Sequence, residues 1–185
     1  MFAASWELDE PKVINKRLDK IADLLDLVTE QVGRWAAWLA AVLVLVTGTV
    51  VMLRYVFQTG SIALQESLIY INALLFTLGA AYTLKQDGHV RVDIFYSRLS
   101  KRHRALIDLA GTVFLLFPLC GFILWSSWDY VSFSWQVREG SAETSGLPFV
   151  YLLKTTILLL AGFLLWQGVA ECCKNLKLFT RGDQS

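Results

Sequence analysis

The residues able to do chemistry are few, and most sit at the margins of long apolar stretches. Both histidines fall in one basic segment, 85–104, which reads KQDGHVRVDIFYSRLSKRHR. In it His89, Arg91 and Asp93 alternate with valines, and His89 and Asp93 are spaced to share one helix face. His103 would complete a metal set, but a turn intervenes between it and the pair, and no metal site is expected. Arg54, Glu66 and Lys154 border other apolar stretches. A carboxylate at Glu66 suits the first turn of a helix through the helix dipole, or an ion pair with Arg54, Lys154 or another subunit. Lys154 lies near a helix end, where it either snorkels to an interface or pairs with a carboxylate. Cys120 stands inside an apolar stretch and Cys172 and Cys173 are adjacent, with no CxxC pair, zinc spacing or disulfide framework.

These residues exclude much. No GxxxxGK[ST] loop is present, so ATP hydrolysis by that route is ruled out. No histidine lies within an apolar stretch to ligate haem, and no carboxylate lies at the centre of one, where a proton-coupled carrier needs it. The net charge of +1 provides no global field for nucleic acid. No catalytic residue, cofactor or nucleic-acid partner is expected.

The elements that position these residues are read from the charges. Trp35–Leu53, Ser67–Leu84 and Leu109–Trp128 are uncharged runs of 19, 18 and 20 residues, and Leu147–Ala170 is broken only by Lys154. A helix rises about 1.5 Å per residue, so about 20 residues cross a hydrocarbon core of about 30 Å. The expected fold is an all-α integral membrane protein with four transmembrane helices, near 35–53, 67–84, 105–128 and 147–170. The chain is 55% hydrophobic, and four buried helices of this length would leave a soluble protein too little polar surface. Fourteen Lys and Arg flank one side of the spans (12–34, 85–104 and 174–181) and three the other (Arg54, Arg138 and Lys154). The positive-inside rule then places both termini and the 85–104 loop in the cytoplasm. The first thirty residues lack a signal-peptide pattern, so the first span is read as uncleaved.

Three domains of sequence follow: a cytoplasmic segment 1–33, a membrane domain 34–172 and a cytoplasmic tail 173–185. Ile14, Leu18, Ile21, Leu25, Val28 and Val32 recur at spacings of 4 and 3, predicting an N-terminal amphipathic helix that lies in the membrane interface or packs on a partner or the bundle. Ala73, Thr77 and Ala81 form a small-residue stripe on the second span, a packing face within this chain or towards another. Ser100 is the expected cap of the third span, and Pro118 should disturb that span midway. Thr144 or Ser145 is the expected cap of the fourth, with Pro148 in its first turn.

The stretch ESLIYINALLFTLGAAYTLKQDGHVRVDIFYSRLSKRHRALID, within this four-span layout, resembles the small membrane (Q) subunit of tripartite ATP-independent periplasmic (TRAP) transporters. The matching elements are Glu66, the run Gly79-Ala80-Ala81, His89-Val-Arg-Val-Asp93 and the basic stretch Ser100–Arg104; ETSGLPFVYLLK is similar as well. The resemblance implies a bacterial inner-membrane scaffold that braces a large permease subunit. It also implies help in docking a periplasmic substrate-binding protein, for ion-driven uptake of an organic acid or similar solute. Partners would be that large subunit, the binding protein and membrane lipid. Arg54, Glu66, His89, Arg91, Asp93 and Lys154 are the expected subunit-contact or ion-pair positions. The alternatives are a standalone small transporter or channel, which would need a polar path through the spans, and a membrane anchor for a redox enzyme.

Overall fold

The computed structural model describes residues 10–86 and 99–181, with side chains for 22–86, 99–100 and 103–176. The order is α1 (Glu10–Tyr55), α2 (Ile62–Lys85), α3 (Lys101–Gly111), a π turn (Thr112–Leu116), α4 (Phe117–Gln136) and α5 (Val150–Arg181). The third span is thus α3, the π turn and α4 in line. Four segments are long and apolar enough to cross a membrane: Ala22–Tyr55, Ile62–Lys85, His103–Gln136 and Val150–Leu176. Helices are the expected form, because lipid offers no partner to an unpaired backbone group.

Among the described residues the predicted N-terminal amphipathic helix is not separate from the first span: α1 is continuous through 46 residues, about 69 Å at 1.5 Å per residue. The sequence explains this. Between Pro11 and the first span only Gly33 could interrupt the helix, and Gly33 is held by packing. A Cβ on it would run into the Tyr82 ring of α2, so the glycine lets the two helices meet. The predicted stripe is split by the tertiary structure. Leu25 is buried and Val32 half-buried, but Val28 faces outward, while Ile14, Leu18 and Ile21 have side chains outside the described set. The inward row is instead Ala22, Leu25, Thr29 and Ala36.

Ser61 caps α2, its hydroxyl accepting from the Leu64 N–H at 3.4 Å. Glu66 therefore lies in the second turn of α2 and does not open it, beyond the short reach of the helix dipole. Ser100 caps α3 through the His103 N–H, as its sequence context predicts. Pro118 has no N–H to give Phe114, and the ladder widens just before it: the Phe117 N–H reaches back to the Thr112 carbonyl. Gly168 of α5 seats this turn, since a Cβ there would come within 2.8 Å of Leu116 and 2.9 Å of Phe117.

α5 begins at Val150, later than expected, and Thr144, Ser145 and Pro148 remain in the preceding loop. Pro148 disfavours helical geometry at Leu147. α5 is the axis of the bundle. It packs against α1, α2, α3, the π turn and α4, and 22% of its span is buried against 6–11% for the others. Two ends result: one carries Asp26, Lys85 and Lys174, the terminal end, and the other carries the 56–61 and 137–149 connections, the loop end.

Candidate functional site

At the terminal end, α1, α2 and α5 enclose a polar cluster around Gln167, which is fully buried. Its carbonyl oxygen accepts from the Thr29 hydroxyl at 2.6 Å, and its amide nitrogen donates to Asp26 and Glu171, each at 3.1 Å. Thr29 is itself buried and its hydroxyl has the Leu25 carbonyl within 3.1 Å as a second acceptor, so it is the Gln167 carbonyl oxygen that depends on this contact for a partner water would otherwise supply. Lys174 bridges the same two carboxylates, at 2.8 Å from Asp26 and 2.9 Å from Glu171. Lys85, from the last turn of α2, donates to Glu30 and to the Asp26 carbonyl, both at 3.0 Å. The Trp166 indole adds a bond to the Leu25 carbonyl at 3.4 Å. Three helices are tied at one level.

At the loop end the chemistry is carried by a helix exit. α4 terminates with the Glu139 N–H on the Ser134 carbonyl and the Arg138 N–H on the Trp135 carbonyl, and Arg138 is left-handed at φ 46°. This is the Schellman pattern with arginine where glycine is usual. It folds Glu139 back over α4, where Ser134 donates at 2.7 Å and Lys154 pairs with it at 2.5 Å. Lys154 also lies 3.9 Å from the centre of the Tyr130 ring. The lysine, then the Ser134 hydroxyl, hold the Glu139 carboxyl below its ordinary pKa. Trp135 donates to Thr155 at 2.9 Å and stacks edge-on against Tyr151 at 4.7 Å.

Glu66 secures the rest of the loop. One carboxylate oxygen accepts from the Ser141 hydroxyl, the other from the Leu147 N–H at 2.6 Å. Gly146 has no room for a Cβ, which would meet Ser141 and Glu66.

The predicted residues are therefore redistributed. Glu66 and Lys154 do not pair with each other or with Arg54. The 137–149 loop folds between them and supplies nearer partners to both. Arg54 is exposed in the last turn of α1, with no ion pair to a described residue. Thr77 and Ala81 are buried and Ala73 is half-buried, so the stripe faces this chain's own bundle and is not open to a large subunit. His89, Arg91 and Asp93 lie outside the described residues. Sequence reasoning missed Gln167, Thr29, Asp26, Glu171 and Glu139. A signal existed for Gln167, a lone amide in an otherwise apolar window.

Residues 43–178 match the family described as Tripartite ATP-independent periplasmic transporters, DctQ component. The chain belongs to this family. It is a membrane component of a solute transporter and not an enzyme. No curated protein and no solved structure matches it. The DctQ match takes in α2 to α4 and nearly all of α5, but only the last third of α1. In the terminal cluster it includes Lys85, Gln167, Glu171 and Lys174, and it begins after Asp26, Thr29 and Glu30.

Proposed function

We propose that this DctQ chain is a non-catalytic scaffold, bracing the large TRAP membrane subunit and contributing to docking of the periplasmic substrate-binding protein. The observation that carries this reading is the closure of both polar clusters. Their lysines and carboxylates are bonded within the chain, and large apolar side chains cover the outer faces of α1 and α4. Charges spent on internal bonds suit a rigid brace better than an ion path. Both termini face the cytoplasm of a bacterial inner membrane, on the excess of Lys and Arg at that end. The loop end then faces the periplasm, where Glu66 and the Glu139–Lys154 pair shape the 137–149 surface.

Uptake by the intact transporter tests this. Glu66→Gln and Lys154→Met should lower uptake, and the chain reconstituted alone should pass no solute. Unchanged uptake and copurification in both variants would overturn the docking role, and flux through the isolated chain would overturn the scaffold.

A further inference from the structure

The third span changes face at its π turn. In α4 the buried side chains are Cys120, Val131 and Ser134. Continued back from Cys120 at about 100° per residue, the same face would run through Leu116, Val113, Leu109 and Leu106. Leu116 and Leu109 are half-buried, but Val113 is 39% and Leu106 47% exposed. Below the turn, the row that packs inward is instead Ala105, 2% exposed, with Asp108 and Thr112 half-buried. The cause is one surplus residue. The Phe117 N–H reaches the Thr112 carbonyl five residues back, where a regular helix reaches four. That residue turns α3 by about 100° relative to α4.

Both rows suit a packed position. Leu106, Leu109 and Val113 make an apolar stripe, and Ala105, Asp108 and Thr112 a small and polar one. Thr112 meets α5 at Gly168, so Asp108, one turn further towards the terminal end, stands at about the level of Glu171 and Lys174. Water is within reach there, and neither row strands a charge in hydrocarbon. The joint is also loosely built. Pro118 has no N–H for the Val113 or the Phe114 carbonyl, so the ladder is open at that point in either form. Gly111 and Gly121 flank the turn, with no neighbouring atom within 4 Å of where a Cβ would stand.

We propose that the π turn is a swivel: its surplus residue is taken up into regular α-helix and released again, exchanging the Ala105–Asp108–Thr112 row on the bundle for the Leu106–Leu109–Val113 row. Closing it passes the Phe117 N–H from the Thr112 to the Val113 carbonyl, so no ladder bond is lost. α3 turns by about 100° and shifts by about 1.5 Å along its axis, while α4 and the loop end keep their places. The terminal cluster ties α1, α2 and α5 to one another, so it holds while α3 turns. The swivel belongs to this chain alone and stands whether or not the chain is a scaffold.

The test uses the full chain in liposomes, with Cys120, Cys172 and Cys173 replaced by alanine and Ala105→Cys as the only thiol. N-ethylmaleimide reaches that thiol only when α3 turns it out. Labelling should run to completion, and Asp108→Leu, which weakens the polar row, should speed it severalfold. Deleting Leu115 removes the surplus residue, so both halves of the span keep their present faces on a regular helix with nothing left to exchange. The chain should stay folded and labelling should slow by about tenfold. No labelling of the parent would overturn the swivel. Equal labelling with and without Leu115 would assign exposure to fraying of α3 and overturn it too. A deletion that unfolds the chain would show that the turn holds no surplus residue.

Discussion

The two ends of the bundle solve different problems with the same residue types. The terminal cluster joins three helices through a fully buried amide, and most of its contacts span more than fifty residues of sequence. The loop cluster works mostly within one helix exit: Ser134, Glu139 and Lys154 lie within twenty residues of one another, and only Glu66 reaches in from afar. The first sets where α1, α2 and α5 sit. The second sets the shape of a surface. Damage to the terminal end should therefore loosen the bundle, whereas damage to the loop end should release a loop from an intact bundle.

The largest expected effect is at Gln167. Gln167→Leu keeps the volume but strips a partner from Thr29, Asp26 and Glu171, and should cost about 2–3 kcal/mol in detergent unfolding. A variant as stable as the native chain would mean the amide is not structural.

Glu66→Leu comes next and tests the other end. The Ser141 hydroxyl and Leu147 N–H lose their acceptor, so limited proteolysis should cut within 137–149 several times faster, with the melting midpoint shifted less than in Gln167→Leu. Equal loss of midpoint in both variants would erase the distinction between the ends.

Acid sharpens it further. The Glu139 carboxyl is held below its ordinary value, so its contribution is present above that value and is lost as pH falls through the lowered, folded-state value. Proteolysis of the loop should accelerate on acidification, and Glu139→Gln should flatten that component of the profile. An unchanged acid response in Glu139→Gln would assign it to another group.

The smallest effect is at the helix exit itself. Arg138 holds φ 46° without being glycine, so Arg138→Gly should raise stability by up to about 1 kcal/mol, while Arg138→Val should lower it. Destabilisation by glycine would show that the arginine side chain matters more than its backbone.

Much of the architecture was legible in the chain because charge is forbidden in hydrocarbon. Four windows free of charge, apart from Lys154, became four long helices, and Ser100 announced its own cap. The amphipathic period before the first span was equally visible, but period alone cannot tell a separate helix from the start of a longer one. Only the continuity of α1 decides that. For the candidate site, position at a span end was readable for Glu66 and Lys154, and partner identity was not. Arg54, Glu66 and Lys154 looked like mutual partners because they are neighbours in topology, yet the loop exit at Arg138 brought Glu139 to Lys154 first.

By itself, then, the sequence determined the four long apolar helices able to span a membrane, the apolar surface they present and a close likeness to one transporter component. These follow from composition along the chain, which needs no knowledge of what touches what. The tertiary structure alone decided that the Ala73–Ala81 stripe turns inward, that Gln167 is the polar centre of the terminal end and that Val28 turns outward while Leu25 and Thr29 are buried. Those depend on the rotation of each helix about its axis, which is set by close approaches such as Gly33 on Tyr82 and Gly168 on the π turn.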